Sequence, residues 1–392
     1  MKLFTILLAV LPAALAVAVA DPAPQGGICC NYCQKGSQCA KNCVICRLCK
    51  LIIDVVEERN ERERQELTTA RNDIKKILPT AIAIMGSISN DPVILFGYPF
   101  SPYVQKIALL LHVTEVPFKF QEVGPLIPRP ELESIGITYR RVPILAVGKD
   151  IYCDSKVQQR VILERLAKKQ IPTSIHDRAW EEWGFVAFDQ TLGLAPGKLM
   201  TPEFAKDRGS IYPLLIRPDF DTLRESAVAD LHSRLDYLEN TVLKETKYIG
   251  GNEITLATIH AIWGVRWDLH GLEDQPPGLG ETHPAVGKSR FPKVHGLIDS
   301  LPLPEFKHIS FDEAKEQIFA SRYTSEITGL LKDEPTEIQV GTLVTADSLG
   351  SEPRKHPVHG KLHATDGYEF VLEVPTGLRI HFPRESTILR KA

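Results

Sequence analysis

Two hydroxyl-bearing residues in the stretch YPFSPYVQKIALLLH, from Tyr98 to His112, have the spacing of a reactive loop. Tyr98 and Ser101 fill the two positions that cysteines hold in a Cys-x-x-Cys loop, so the thiolate needed for thiol–disulfide exchange is missing. Ser101 precedes Pro102, which is favoured at the first helical position, and Ser101 is therefore predicted as a helix N-cap. A hydroxyl and the backbone N–H groups at a helix start can stabilise an anion. The alternative is a cap that only stabilises the helix, by ~1 kcal/mol.

The elements around this loop alternate between strand and helix patterns. The apolar run 93–96 predicts a buried strand, and apolar residues at i, i+3, i+4 and i+7 from Val104 predict a helix. Alternation over 118–121 predicts a second strand, and the apolar run 142–147 predicts a third. After a tight turn into a further strand, a helix over 155–166 is expected to pack on this sheet.

The rest of the chain changes character twice. Residues 175–330 are helical in pattern, with apolar spacing in 231–242 and a strongly apolar helix over 255–269. From Pro335 onward, Asp366-Gly367 between alternating apolar residues predicts a hairpin within a small antiparallel β-unit. The predicted fold class is therefore α+β.

Three motifs in order resemble the N-terminal domain of a glutathione S-transferase: VILFGYPFSPYVQKIALLL, RRVPILAVG and YCDS. The resemblance covers about residues 92–166, and the following helical region is similar to the all-helical second domain of that family. The whole arrangement, with DIYCD and IHFPR, most resembles a poorly characterised fungal branch. We therefore expect a thioredoxin-like domain over 91–168, a helical domain over 172–332 and a β-unit over 335–392.

The resemblance implies roles for residues at the matching positions. Pro143 stands where the family has a cis-proline, which would let the backbone of Val142 pair with the cysteinyl unit of glutathione; a trans-proline beginning a strand is the alternative. Asp154 and Ser155 match the acidic-Ser dipeptide that binds the γ-glutamyl amine and carboxylate, with a simple helix cap as the alternative. Ser101 or Tyr98 would stabilise the thiolate.

Other candidate residues leave more than one interpretation open. Arg141, with Arg140, is a candidate for the glycyl carboxylate, although adjacent arginines on a loop are typical of a solvent-exposed position. Cys153 is expected to be buried rather than reactive. Thr255-x-x-Thr258 retains an N-cap but lacks the carboxylate of a full capping box. Aromatic residues are available to line an electrophile site between the two domains: Trp180, Trp183, Phe185, Phe188 and Trp263.

The first ninety residues form a separate problem. Residues 1–20 have the form of a secretory signal peptide, with an uncleaved membrane anchor as the alternative. Residues 21–50 hold seven of the eight cysteines, which favours disulfides over a zinc site. Residues 51–90 are predicted to be a helical linker. The leader implies a secreted protein and the remainder a cytoplasmic one, and a true fusion and a merged gene annotation both remain open.

Composition limits the functions that come into question. With 43% apolar and 24% charged residues and a net charge of −3, the chain has a globular composition and no extended basic stripe. Nucleic acid is therefore not an expected partner, no metal site is predicted, and a membrane is relevant only if the N-terminal segment is uncleaved. The leading hypothesis is transfer of the thiol of glutathione, as co-substrate, to small hydrophobic electrophiles by a possible homodimer. The alternative is a non-catalytic scaffold of the same fold.

Overall fold

The computed structural model describes residues 91–195, 200–270, 279–302 and 304–392. The predictions for the signal peptide, the Cys-rich segment and the helical linker lie outside these residues. Among the residues described, no helix is both long enough and apolar enough to cross a membrane.

The chain first builds a strand–helix–strand unit followed by a strand pair and a helix, in the order that the sequence predicts. The elements are β1 (Val93–Gly97), α1 (Pro102–Val113), β2 (Lys119–Glu122), α2 (Pro130–Ser134), β3 (Ile144–Val147), β4 (Asp150–Cys153) and α3 (Ser155–Val161). The helix predicted to reach residue 166 changes at Ile162 into a π-helical turn over Ile162–Leu166. Every residue of β1 is buried, as expected for a strand covered on both faces.

A helical region follows, most of which packs on one face of the sheet, whereas its last helix, Phe311–Ala320, contributes Ala314 and Ile318 to the core on the opposite face. Its helices are α4 (Asp177–Thr191), α5 (Pro202–Gly209), α6 (Arg224–Tyr237), α7 (Leu256–His270), α8 (Pro292–Asp299) and α9 (Phe311–Ala320). The apolar helix α7 packs against α4 and α1. Because α7 lies between these two neighbours, nearly all of its residues are buried rather than one stripe only.

The C-terminal β-unit joins the first sheet. Its strands are β5 (Leu343–Ser348), β6 (Val358–Thr365), β7 (Glu369–Glu373), β8 (Arg379–Pro383) and β9 (Thr387–Lys391). They pair antiparallel with one another, and the predicted hairpin links β6 to β7 with Thr365 opposite Phe370. Strand β8 then pairs in parallel with β4, with Ile151 opposite Ile380. The result is one nine-stranded sheet in the order β2-β1-β3-β4-β8-β7-β6-β5-β9.

Two apolar cores lie on the two faces of this sheet. Leu95 and Leu145 face the core shared with α1, α6 and α7, whereas Ile94 and Phe96 face the opposite side. The second core continues without interruption into the β-unit, where it includes Phe382. The mixed α+β class predicted from the sequence is therefore confirmed, and the β-unit shares its core with the thioredoxin-like part.

Candidate active site

Strand polarity brings the predicted site residues to one edge of the sheet. Strands β1 and β3 are antiparallel, so the end of β1 lies beside the start of β3, with Phe96 opposite Ile144. Strand β4 runs antiparallel to β3, which places its end, Cys153, opposite the same residue. The loop before α1, the turn before β3 and the start of α3 therefore meet.

A cavity of about 460 Å³ opens at this edge, between the sheet and the helical region. All seven residues predicted for the site lie along its walls. They are Tyr98, Ser101, Arg141, Val142, Pro143, Asp154 and Ser155. Three separate segments of sequence thus converge on one cavity.

The two candidate hydroxyl donors lie at the start of α1. Ser101 is the N-cap of α1, and its Oγ accepts a hydrogen bond from the Val104 N–H at 3.4 Å. The Tyr98 hydroxyl accepts a hydrogen bond of 2.9 Å from Nη2 of Arg208. Because each oxygen is used as an acceptor, each hydroxyl retains its own hydrogen for a group in the cavity.

The turn before β3 presents an unpaired stretch of backbone. The Val142–Pro143 peptide bond is cis, as the family resemblance implies, and not the trans bond of the alternative. Within the described residues, neither the N–H nor the C=O of Val142 has a hydrogen-bond partner. Such a segment can pair with an extended peptide laid along it, in the manner of an added strand.

The start of α3 joins a carboxylate to a helix N-terminus. Asp154 is the N-cap, with a φ of 94°, and its Oδ1 accepts a hydrogen bond of 2.9 Å from the Lys156 N–H. Burial raises the pKa of Asp154, although this hydrogen bond and the charge of Arg141 oppose the increase. Ser155 is buried at the first position of the helix. The pair therefore offers an acceptor for an ammonium next to donors for an anion.

The interpretation of Arg140 and Arg141 as solvent-exposed residues is wrong. Arg140 is buried because its guanidinium reaches under α5, where Nη2 lies 2.9 Å from Oδ2 of Asp207. Arg141 is half-buried and donates from Nη2 to the hydroxyl of Ser351 at 3.0 Å. Its buried Nε has no partner among the described residues. Burial disfavours its charge, yet Tyr139 and other acidic neighbours hold the pKa of Arg141 above its usual value.

Aromatic side chains of the helical region form the opposite wall. Of the five aromatics predicted for it, Phe185 and Phe188 line the cavity. Trp263 lies behind Phe188 with ring centroids 4.9 Å apart, and Trp180 and Trp183 do not line the cavity. Phe204, Tyr212 and Trp267 of the helical region and Tyr103 of α1 also line the cavity and were not predicted. The sequence offered a signal for Tyr103, because this residue directly follows Ser101 and Pro102 in the predicted reactive loop.

Two loops of the C-terminal β-unit also reach the cavity. The cavity is lined by Ser348 at the end of β5, by Leu349 and Gly350 in the turn after it, and by Ser386 in the turn before β9. The Glu352 N–H donates to the Ser210 carbonyl at 2.8 Å, which fixes this turn against the helical region. Nothing in the sequence pattern pointed to these residues, because their position depends on the pairing of β8 with β4.

Cys153 and the Thr255–Thr258 pair behave as structural elements. Cys153 is fully buried in β4, and burial raises the pKa of its thiol. Thr255 Oγ1 accepts from the Thr258 N–H at 3.0 Å, as an N-cap does. The Thr258 hydroxyl accepts from the Ile249 N–H at 3.1 Å, so a hydroxyl bonds the preceding loop at the position where a full capping box has a carboxylate.

Two family models match parts of the chain. Residues 95–172 match the glutathione S-transferase N-terminal domain. Residues 192–302 match a domain of unknown function, DUF7962. Among curated proteins, none matches the chain.

Solved structures share the fold at low sequence identity. A GST-like protein from Pseudomonas syringae is 20% identical, with a TM-score of 0.57, and the match covers 77% of this chain and all of that one. Poplar glutathione transferase F1 is 18% identical over 59% of this chain and 99% of its own, with a TM-score of 0.39. A glutathione transferase homolog from Drosophila mojavensis, with bound glutathione, is 16% identical over 60% and 99%, with a TM-score of 0.36. The chain thus has a glutathione S-transferase-like fold.

Proposed function

We propose that the protein is a glutathione-dependent transferase that joins the glutathione thiol to small hydrophobic electrophiles. The observation that carries this proposal is the convergence of Val142, Asp154, Ser155 and Arg141 beside one cavity, each offering the complement of a different part of the peptide. The Val142 backbone would pair with the cysteinyl unit. Asp154 and Ser155 would bind the γ-glutamyl ammonium and carboxylate, and Arg141 would bind the glycyl carboxylate.

The reaction needs a thiolate close to an electrophile. A free thiol with a pKa of ~8.5 is only a few per cent ionised at pH 7, so donors directed at the sulfur increase the reactive fraction. Ser101 and Tyr98 both have a hydroxyl hydrogen available for this purpose. The aromatic wall that includes Phe185 and Phe188 suits an apolar electrophile, since burial there removes apolar surface from water.

The test is binding to glutathione-agarose by the full chain and by Asp154→Asn. The asparagine retains an oxygen that can cap α3 but loses the charge that pairs with the ammonium, so we expect retention to be lost. Asp177→Asn is the matched control, because Asp177 also accepts a backbone N–H at a helix start, from Ser174 at 2.6 Å, and does not line the cavity. Absence of retention by the unmodified chain, or equal retention by both variants, would contradict the proposal.

A second candidate function is a non-catalytic scaffold of the same fold. It is favoured by the contact of Arg141 with Ser351, because a group expected to hold a ligand carboxylate already donates to the chain's own β-unit. A scaffold would bind glutathione without turnover across a panel of aromatic and aliphatic electrophiles. Measurable conjugation with any of them would favour the transferase.

A further inference from the structure

Three buried arginines surround the base of the loop that carries Tyr98. Arg129 precedes α2, Arg140 precedes β3 and Arg208 lies on α5, and their residues are 6%, 5% and 6% exposed. Arg208 is far from the other two in sequence, yet the three meet beneath the cavity, and Arg140 and Arg208 are part of its lining. We call these three residues the arginine cluster.

The cluster carries more positive charge than its surroundings balance. In the described part of the chain, Asp207 is the carboxylate paired with it, through Arg140 at 2.9 Å and through Arg208. The Arg129 guanidinium donates to backbone carbonyls, at 2.9 Å to Gly124 and at 2.7 Å to Arg140. Burial lowers the pKa of Arg129 to about 10, and the charges of Arg208 and Arg140 add to this effect although Tyr98 opposes it. Buried charge in excess of its partners favours an anion nearby.

Arg208 connects this charge to the cavity. Its Nη2 donates to the Tyr98 hydroxyl at 2.9 Å, and both residues line the cavity. A charged donor makes a stronger hydrogen bond than a neutral one, and it polarises the hydroxyl that accepts it. Ser101 differs, because the bond that its Oγ accepts comes from a neutral backbone N–H at 3.4 Å.

We propose that Arg208 is a positioning residue that directs the Tyr98 hydroxyl at the bound thiol, and that the arginine cluster stabilises the resulting thiolate. The inference rests on the proposed function. It favours Tyr98 as the hydroxyl donor to the sulfur, with Ser101 in a supporting position at the start of α1. On ionisation the S–H bond breaks, the electron pair stays on sulfur and the proton passes to solvent water. The thiolate then balances the excess positive charge of the arginine cluster.

The experiment is a pH titration of the ultraviolet absorbance of glutathione thiolate bound to the full chain. In Arg208→Gln we expect the pKa of the bound thiol to rise by about one to three units, the usual effect of one opposite charge at close range. Arg208→Lys should recover part of the difference, and Tyr98→Phe should also raise this pKa. Arg217→Gln is the control, because Arg217 is exposed and paired with Asp219 away from the cavity.

S-methylglutathione separates ionisation from binding, since it has no thiol to ionise. Tyr98→Phe should bind S-methylglutathione with nearly the affinity of the native chain. If Tyr98 instead helped to bind the peptide, this affinity would fall. A folded Arg208→Gln with an unchanged thiol pKa would overturn the inference and leave the proposed function intact. If Arg208→Gln does not fold, an unchanged thiol pKa in Tyr98→Phe would overturn it equally. A native chain that binds no glutathione would overturn both.

Discussion

His381 is the residue whose replacement should most affect the junction between β4 and β8. It is fully buried, with Nε2 at 3.0 Å from Oδ1 of Asp150 and Nδ1 at 3.4 Å from Oε1 of Glu369. Its ring also stacks on Tyr152, with centroids 4.3 Å apart. Because one imidazole lies between two buried carboxylates, His381→Gln would remove the cation that they share.

The expected cost follows from these contacts. Removing one partner of a buried ion pair destabilises a protein by about 3–5 kcal/mol. Asp150 retains hydrogen bonds from the backbone of Thr324 and Ser325, and Glu369 retains Arg160 at 4.0 Å. These remaining contacts place the expected loss for His381→Gln near the lower end, at about 3 kcal/mol. Equilibrium unfolding in urea measures it as a change in midpoint at constant slope.

The pH dependence of stability gives a second measurement. Although burial opposes it, hydrogen bonds to Asp150 and Glu369 raise the pKa of His381 above its unfolded value of ~6.5. Its contribution is therefore complete below pH ~6.5 and is lost as the pH rises through the folded-state pKa. Burial would raise the pKa of Asp150, but the same histidine lowers it. The stability that Asp150 contributes is therefore lost as the pH falls through its folded-state pKa. His381→Gln should remove the loss on the alkaline side.

Two outcomes would refute this reasoning. If the free energy of unfolding of His381→Gln were within about 1 kcal/mol of that of the native chain, the contacts of His381 with Asp150 and Glu369 would not be strongly stabilising. An unchanged loss of stability above neutral pH in the variant would show that another group titrates there. The matched control is His359→Gln, because His359 lies on β6 with an exposed side chain.

Two helical glycines, Gly184, which is buried, and Gly296, which is exposed, give predictions of opposite sign. Gly184→Ala places a Cβ 2.1 Å from the His260 carbonyl, so α4 and α7 must separate, at a cost of about 1–3 kcal/mol or more. Gly296→Ala in α8 meets no atom within 4 Å and should instead stabilise by up to ~1 kcal/mol, and equal effects in thermal unfolding would contradict the argument. Burial lowers the pKa of Lys106 to about 8, below its unfolded value of ~10.4, so native stability should rise with pH between these values. Lys106→Met should abolish that rise and stabilise the protein at pH 7 by about 1–2 kcal/mol, and a rise that persists would exclude Lys106 as its source.

Local patterns predicted the elements at the site because they depend on neighbouring residues. The period of the apolar residues after Pro102 gave α1, and the Asp366-Gly367 pair gave the β6–β7 hairpin. The motif order around Ser101, Pro143 and Asp154 then predicted which segments meet. Those segments all lie within the thioredoxin-like part of the chain, from β1 to α3.

Contacts between distant segments were not predictable in the same way. An alternating pattern shows which residues of β8 face a core, but it does not identify the strand beside it. The burial of Arg140 depends on Asp207, and the position of Arg208 depends on how α5 crosses the cavity. In each case a charged residue resembles a solvated one until its partner is known.

The parallel pairing of β4 with β8 also governs the order in which the protein matures on the ribosome. Asp150 and His381 are 231 residues apart in the chain, so the edge of β4 stays uncovered until β8 has also been synthesised. Closing so long a span slows folding and leaves an exposed strand edge during that interval. A nascent chain stalled before Arg379 would therefore present the β4 edge for pairing with other chains, so the thioredoxin-like part is covered at this edge only once β8 has formed.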